Sequence, residues 1–120
     1  MSDKVYKVYQ IRQDNERSDQ AYRALALKGS QGYEQKMDEC FDQVCVVSKA
    51  SGLNFVFEVL NCGDDDLFDN HVSGYTMTSG GYRNMHSLSV GDIVSDGQES
   101  WMVDPVGFTK INFSIEKGKN

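Results

Sequence analysis

Proline occurs once in this chain of 120 residues, at Pro105, and cysteine three times, at Cys40, Cys45 and Cys62. With so little proline and no low-complexity tract, no stretch reads as a long linker. The cysteines are odd in number and lack Cys-x-x-Cys spacing, which argues against a disulfide framework. They are expected to be reduced thiols in a cytosol, mostly buried as small apolar residues. No apolar run approaches the ~20 residues of a membrane-spanning helix, and Met1 to Tyr6 carries no signal-peptide core, so a cytoplasmic location and no membrane partner are expected. Basic residues are scarce where they would matter most. Between Ala50 and Thr109 the chain has nine acidic residues and a single basic one, Arg83, within a net charge of −6. A phosphate backbone is bound by clustered Lys and Arg, so direct nucleic-acid binding is not expected. What is present, 39% hydrophobic and 25% charged residues, is ordinary for one globular domain over 1–120 that buries its own core.

The strongest local signal runs from His86 to Phe108. Val90 is an apolar anchor before a turn, and Gly91 supplies a backbone angle that a Cβ would resist. The Asp92 carboxylate can accept from a nearby backbone amide. Ile93 and Val94 enter a strand, Asp96-Gly97 signals a two-residue type I′ hairpin, and Trp101, Met102 and Val103 return. Pro105 ends the return strand, and Gly107 permits a second bend before Phe108.

That stretch carries a resemblance. Ser87-Leu88-Ser89-Val90-Gly91-Asp92-Ile93-Val94, followed by Trp101-Met102-Val103-Asp104-Pro105-Val106-Gly107-Phe108, is similar to the end of the YodL-like domain. That family ends in Ser-Leu-Ser-Val, a small residue, Asp, two aliphatics, a short hairpin, then Val-Asp and Gly-Phe. The opening Lys7-Val8-Tyr9-Gln10-Ile11 resembles the family's first strand. Such domains occur in small proteins of phages and integrative elements and have no established enzymatic mechanism. The resemblance therefore implies a setting more than an activity.

Along the rest of the chain, Val5 to Ile11 alternates as a strand, with apolar residues on both faces that suit a central place in a sheet. Ala21 to Leu27 reads as a short helix or turn, capped by Ser18, with Tyr22, Leu25 and Ala26 inward; an extended segment is the alternative. Ser30 is a plausible cap for a helix in which Tyr33, Met37, Cys40, Phe41 and Val44 recur at helical spacing. The β-branched run Val44-Cys45-Val46-Val47 predicts a buried strand starting near Gln43. Ser51 caps the cleanest amphipathic helix, with Leu53, Val56, Phe57 and Leu60 inward, and Gly63 stops it. Cys62 to Met85 is then a long irregular segment, with a possible short edge strand at Tyr75 to Thr78. Thr109 to Ile115 alternates as a last strand, and Glu116 to Asn120 reads as a frayed tail. The expected fold is α+β: a single small domain with a mainly antiparallel sheet, two or three helices on one face and a C-terminal hairpin.

Candidate site residues lie mostly in the irregular segment. Gly63 to His71 gathers carboxylates but lacks the central glycine of a calcium loop, so it reads as a solvated acidic loop with no metal. Leu67 and Phe68 are apolar residues within that charge and are candidate protein-contact anchors. Gly80-Gly81-Tyr82-Arg83-Asn84 is glycine-rich but precedes no clear helix, which weakens a phosphate-cradling role. Tyr75, Tyr82 and Arg83 suit a binding surface, since Tyr and Arg are enriched among interface hot spots. His71 and His86 are the only histidines, and no nucleophile motif accompanies them. His86 with Asp92 or Asp104 is the pair that catalysis, if present, would use.

These observations predict a non-enzymatic accessory protein of a phage or mobile element. Without a cofactor, it would bind and inhibit a host protein with a basic surface, such as a defence or regulatory factor. Asp64, Asp65, Asp66, Leu67, Phe68, Asp69, Tyr75, Tyr82, Arg83 and His86 form the expected binding set. One alternative is a small enzyme or small-ligand binder with a pocket near His86, Arg83 and Trp101. Another is an acidic nucleic-acid mimic, for which −6 is a modest charge.

Overall fold

A computed structural model describes residues 4–12 and 16–113. In chain order the elements are β1 (Lys4–Ile11), α1 (Glu16–Lys28), two 3₁₀ segments (Gly29–Gly32 and Gln35–Cys40), β2 (Phe41–Ala50), α2 (Leu53–Asn61), α3 (Asp65–His71), β3 (Val72–Ser73), β4 (Ile93–Ser95), β5 (Ser100–Val103) and β6 (Phe108–Ile111). The six strands form one antiparallel sheet in the order β3-β2-β1-β4-β5-β6. The α+β class expected from the sequence holds, and β1 is central.

The alternation of β1 explains its place. Tyr6 and Val8 are buried on one face with Cys45, Val47, Val94 and Val103, beneath Val56, Val59 and Leu60 of α2 and Phe68 of α3. Tyr9 is buried on the other face with Phe41, Ile93 and Met102, against Leu25 of α1. A strand apolar on both sides thus serves two cores, and helices cover both faces rather than one.

Several local expectations change. α1 is a full helix of thirteen residues whose buried positions are Ser18, Ala21 and Leu25; Ser18 lies inside it rather than capping it, and Ala26 is exposed. The helix expected after Ser30 is only the two 3₁₀ segments, and β2 begins at Phe41, because Phe41 joins the Tyr9 core and pairs with Ile11. Ser30 instead ties to Asp104, which accepts from its backbone N–H and its hydroxyl, each at 2.7 Å. Gly52, not Ser51, stands at the start of α2, without a side-chain cap. The stripe of α2 is Val56, Val59 and Leu60, and Phe57 is 42% exposed.

The hairpin loop is displaced by one residue. The Asp96 backbone N–H donates to Glu99 O at 3.1 Å, so Gly97-Gln98 is the loop, and the Asp96 carboxylate accepts from the N–H groups of Gln98 and Glu99. A type I′ turn centred on Asp96-Gly97 needs φ > 0 at both. Lys49 is the only non-glycine with positive φ among the described residues, whereas Gly97 has φ +95°. Gly91 has φ +97°, as its place before the hairpin required. β6 ends at Ile111, and Phe113 beyond it is buried in the Tyr9 core. The positions expected to extend the strand to Ile115, and the tail at 116–120, lie outside the described residues.

Candidate functional site

The segment between α2 and β4 is folded where the sequence suggested an irregular loop. Gly63, with φ +76°, turns the chain out of α2. Asp64 then caps α3, its Oδ1 accepting from the N–H of Asp66 at 3.0 Å and of Leu67 at 3.1 Å. The acidic run is therefore the first turn of a helix, where carboxylates suit the positive end of the dipole. The edge strand is Val72–Ser73, while the expected strand at Tyr75 to Thr78 is one arm of a small hairpin. That hairpin is closed by a single bridge, Met77 to Arg83, and by N–H donation from Thr78 to Tyr82 O and from Asn84 to Thr76 O, both 2.7 Å.

Arg83 holds this hairpin against α3. Its guanidinium carbon lies 3.7 Å from the centre of the Phe68 ring and 5.8 Å from that of Tyr75, and the two rings meet edge to face at 5.4 Å. The nearest carboxylate oxygen, Asp65 Oδ1, is 3.8 Å from Nη2 on an exposed side chain, so stacking carries this contact more than charge. Phe68, expected as an exposed anchor, is buried at 7% exposure, and Leu67 is half-buried against the same core. The residues presented to solvent are instead Tyr82, 76% exposed, and Met77, 57% exposed.

A cleft of about 350 Å³ lies between the end of α2, α3 and the hairpin. It brings together Asp64, Asp65, Phe68, Tyr82, Arg83 and His86 of the expected set. Asp66 and Asp69 are exposed on α3 outside it, and Tyr75 lies half-buried beside Phe68. A second cleft, of about 600 Å³, opens on the other side of His86 between the hairpin's base and the ends of β1 and β2. Trp101 lines neither cleft; its ring sits 6.5 Å from that of Tyr6.

His86 is fixed from behind by a buried polar group. Gln10, 3% exposed on β1, accepts from His86 N–H at 3.1 Å and donates to His86 O at 2.8 Å and to Asp92 Oδ2 at 3.1 Å. Asp92, 4% exposed, also accepts from Ser89 N–H at 2.9 Å, the local bond its position implied. The His86 Nδ1 lies 2.7 Å from Ser87 O and 3.8 Å from Asp92 Oδ2. A carbonyl only accepts, so Nδ1 carries the hydrogen in this contact. Burial pushes the Asp92 carboxyl up to about 7, against the opposing pull of His86, Ser89 and Gln10. The alternative partner, Asp104, belongs to the clasp with Ser30 and Thr109.

Sequence reasoning reached His86 and Asp92 but missed Gln10, whose signal was a lone amide on the face shared by Tyr6 and Val8. It also missed Asn61, whose side chain makes paired bonds with the backbone of Leu88, at 2.9 and 2.8 Å, and so seats the loop before Gly91. Among the described residues no three His, Cys, Asp or Glu side chains gather to hold a metal, and no helix is long and apolar enough to cross a membrane. No protein-family model matches the chain, and neither a curated protein nor a solved structure gives a significant match.

Proposed function

We propose that this chain is a non-enzymatic accessory protein of a phage or mobile element that binds and inhibits a host protein through the surface formed by α3 and the 76–84 hairpin. The observation that carries the reading is the exposure of Tyr82 and Met77 on a hairpin pinned beside the carboxylates of α3. Two large side chains on a held element are suited to hot-spot contact, and the carboxylates around them suit a basic partner surface. The resemblance at Ser87 to Phe108 supports the setting. The test is capture from host lysate by the wild-type chain and by Tyr82→Ala. A stoichiometric partner that Tyr82→Ala fails to retain supports the reading; a partner held equally by both places the surface elsewhere.

A second reading, a small-ligand binder, is favoured by one observation: the buried Asp92 and Gln10 hold His86 where two clefts meet. It predicts that a bound small molecule shifts the His86 ring resonances, and unmoved resonances across a ligand library would count against it.

A further inference from the structure

β2 is ten residues long, yet β3 pairs with only two of them, Val46 with Ser73 and Val47 with Val72. Gly74 follows at φ +74°, packed against Val46, and turns the chain off the edge. On its inner side β2 is paired with β1 as far as Phe41. On its outer side, from Asp42 to Val44, no described residue pairs with it, and Asp42 and Gln43 are exposed there, whereas the Phe41 N–H already donates to Asp38 O. A bare edge offers N–H and C=O groups to a further strand, and folded proteins commonly guard such edges with lysine or proline. This stretch has neither. Its charges cancel locally instead, since Arg12 pairs with Asp42 and Arg17 with Glu39 at 3.3 Å. The register shift between Val8 and Tyr9 marks a bulge at Val44 that bounds the free edge.

The larger cleft borders this edge, with Gln43 on one side and Thr76, Asn84 and His86 on the other. The side chains of Gln43, Thr76 and Asn84 make no hydrogen bond among the described residues, so two amides and a hydroxyl are uncommitted beside uncommitted backbone. We propose that this edge takes an extended peptide segment of a partner protein, added beside β2 as a further strand. A backbone edge recognises another backbone, which selects polypeptide over nucleic acid or lipid. The locally balanced charge selects a segment with neutral polar side chains over a basic one. Three edge residues at ~3.3 Å each match a segment of about three or four residues. The site lies across His86 from the Tyr82 surface, and neither needs the other.

The test pans a random heptapeptide library against the full chain, synthesises the enriched peptide and maps it by amide hydrogen exchange. The expected result is slowed exchange within Asp42 to Val44. N-methylating alternate peptide amides should weaken binding about tenfold or more, the loss of at least one backbone hydrogen bond. Tyr82→Ala should leave peptide affinity unchanged even where it abolishes capture of the host partner, which separates this site from the α3–hairpin surface. Enrichment of no peptide, protection confined to residues 76–84 or α3, or full tolerance of N-methylation would overturn the proposal.

Discussion

Replacing Gly91 by alanine places a Cβ 2.9 Å from the Cβ of Leu25. Two costs follow. The first is backbone strain, since φ is +97° and a non-glycine held in such a region loses ~1–3 kcal/mol. The second is collision. Leu25 is 1% exposed, and its Cβ cannot rotate aside, so α1 itself must shift; overpacking of this kind costs ~1–3 kcal/mol more. Gly97 separates the two costs, because its φ is +95° but nothing lies within 4 Å of the Cβ it would gain. Urea unfolding of Gly91→Ala and Gly97→Ala should therefore show both destabilised, the first by an additional ~1–3 kcal/mol at an unchanged m-value. Gly91→Val, with its branched side chain, should lose more still. Equal losses for the two alanine variants would mean that the loop yields freely, and that α1 is not seated through this contact.

Other consequences can be measured directly. The Asp92 carboxyl, raised by burial from 3.8 to about 7, favours the fold when protonated. Its contribution is complete below about pH 4 and lost as pH rises through 7, so stability should decline across that window and level off above it. Asp92→Asn should flatten the decline, and an unaltered slope would refute the assignment. Phe68→Ala should cost ~3–5 kcal/mol as a core truncation and release the Arg83 hairpin, read by faster exchange at Thr78 and Asn84. Tyr82→Ala should stay within about 0.5 kcal/mol of wild type in stability while weakening the captured partner by ~1–3 kcal/mol; a large stability loss would show that Tyr82 is not a surface contact. Thiol titration should find three thiols after denaturation but only Cys62 reacting quickly in the fold, because Cys40 and Cys45 are buried and burial pushes the Cys45 thiol up to about 12. An intramolecular disulfide would contradict this.

What was legible in the sequence is what a short-range pattern encodes. The alternation of β1, the presence of a helix from Leu53 and the turn chemistry around Gly91 each rest on neighbours within a few residues, and each holds in the fold. α3 was hidden because seven residues with four carboxylates in their vicinity carry no apolar period; only Asp64 as a cap marked it. The 30–44 stretch misled because Tyr33, Met37 and Phe41 do face one core, but Phe41 reaches it from a strand. Phe57 fits the helical stripe of α2, yet α2 leans on the sheet through Val59, which no local rule selects. For the candidate site, the burial of Phe68 was not legible in the sequence. Phe68 is buried because Arg83 and Tyr75 close over it. The contact between Gln10 and Asp92 spans 82 positions, beyond the reach of any local pattern.

β1 is made before either of its neighbours, and its pairing is completed late. Its pairing with β2 is available once Ala50 has emerged, whereas its other edge waits for Ile93 to Ser95. Through the intervening forty-odd residues a two-sided apolar strand stands with one bare edge, the condition under which nascent chains mispair or recruit chaperones. Closure of the β4–β5 hairpin ends that exposure. Substitutions at Gly97 or Asp96 should therefore reduce the recovery of folded protein from cells more than their equilibrium stability would suggest.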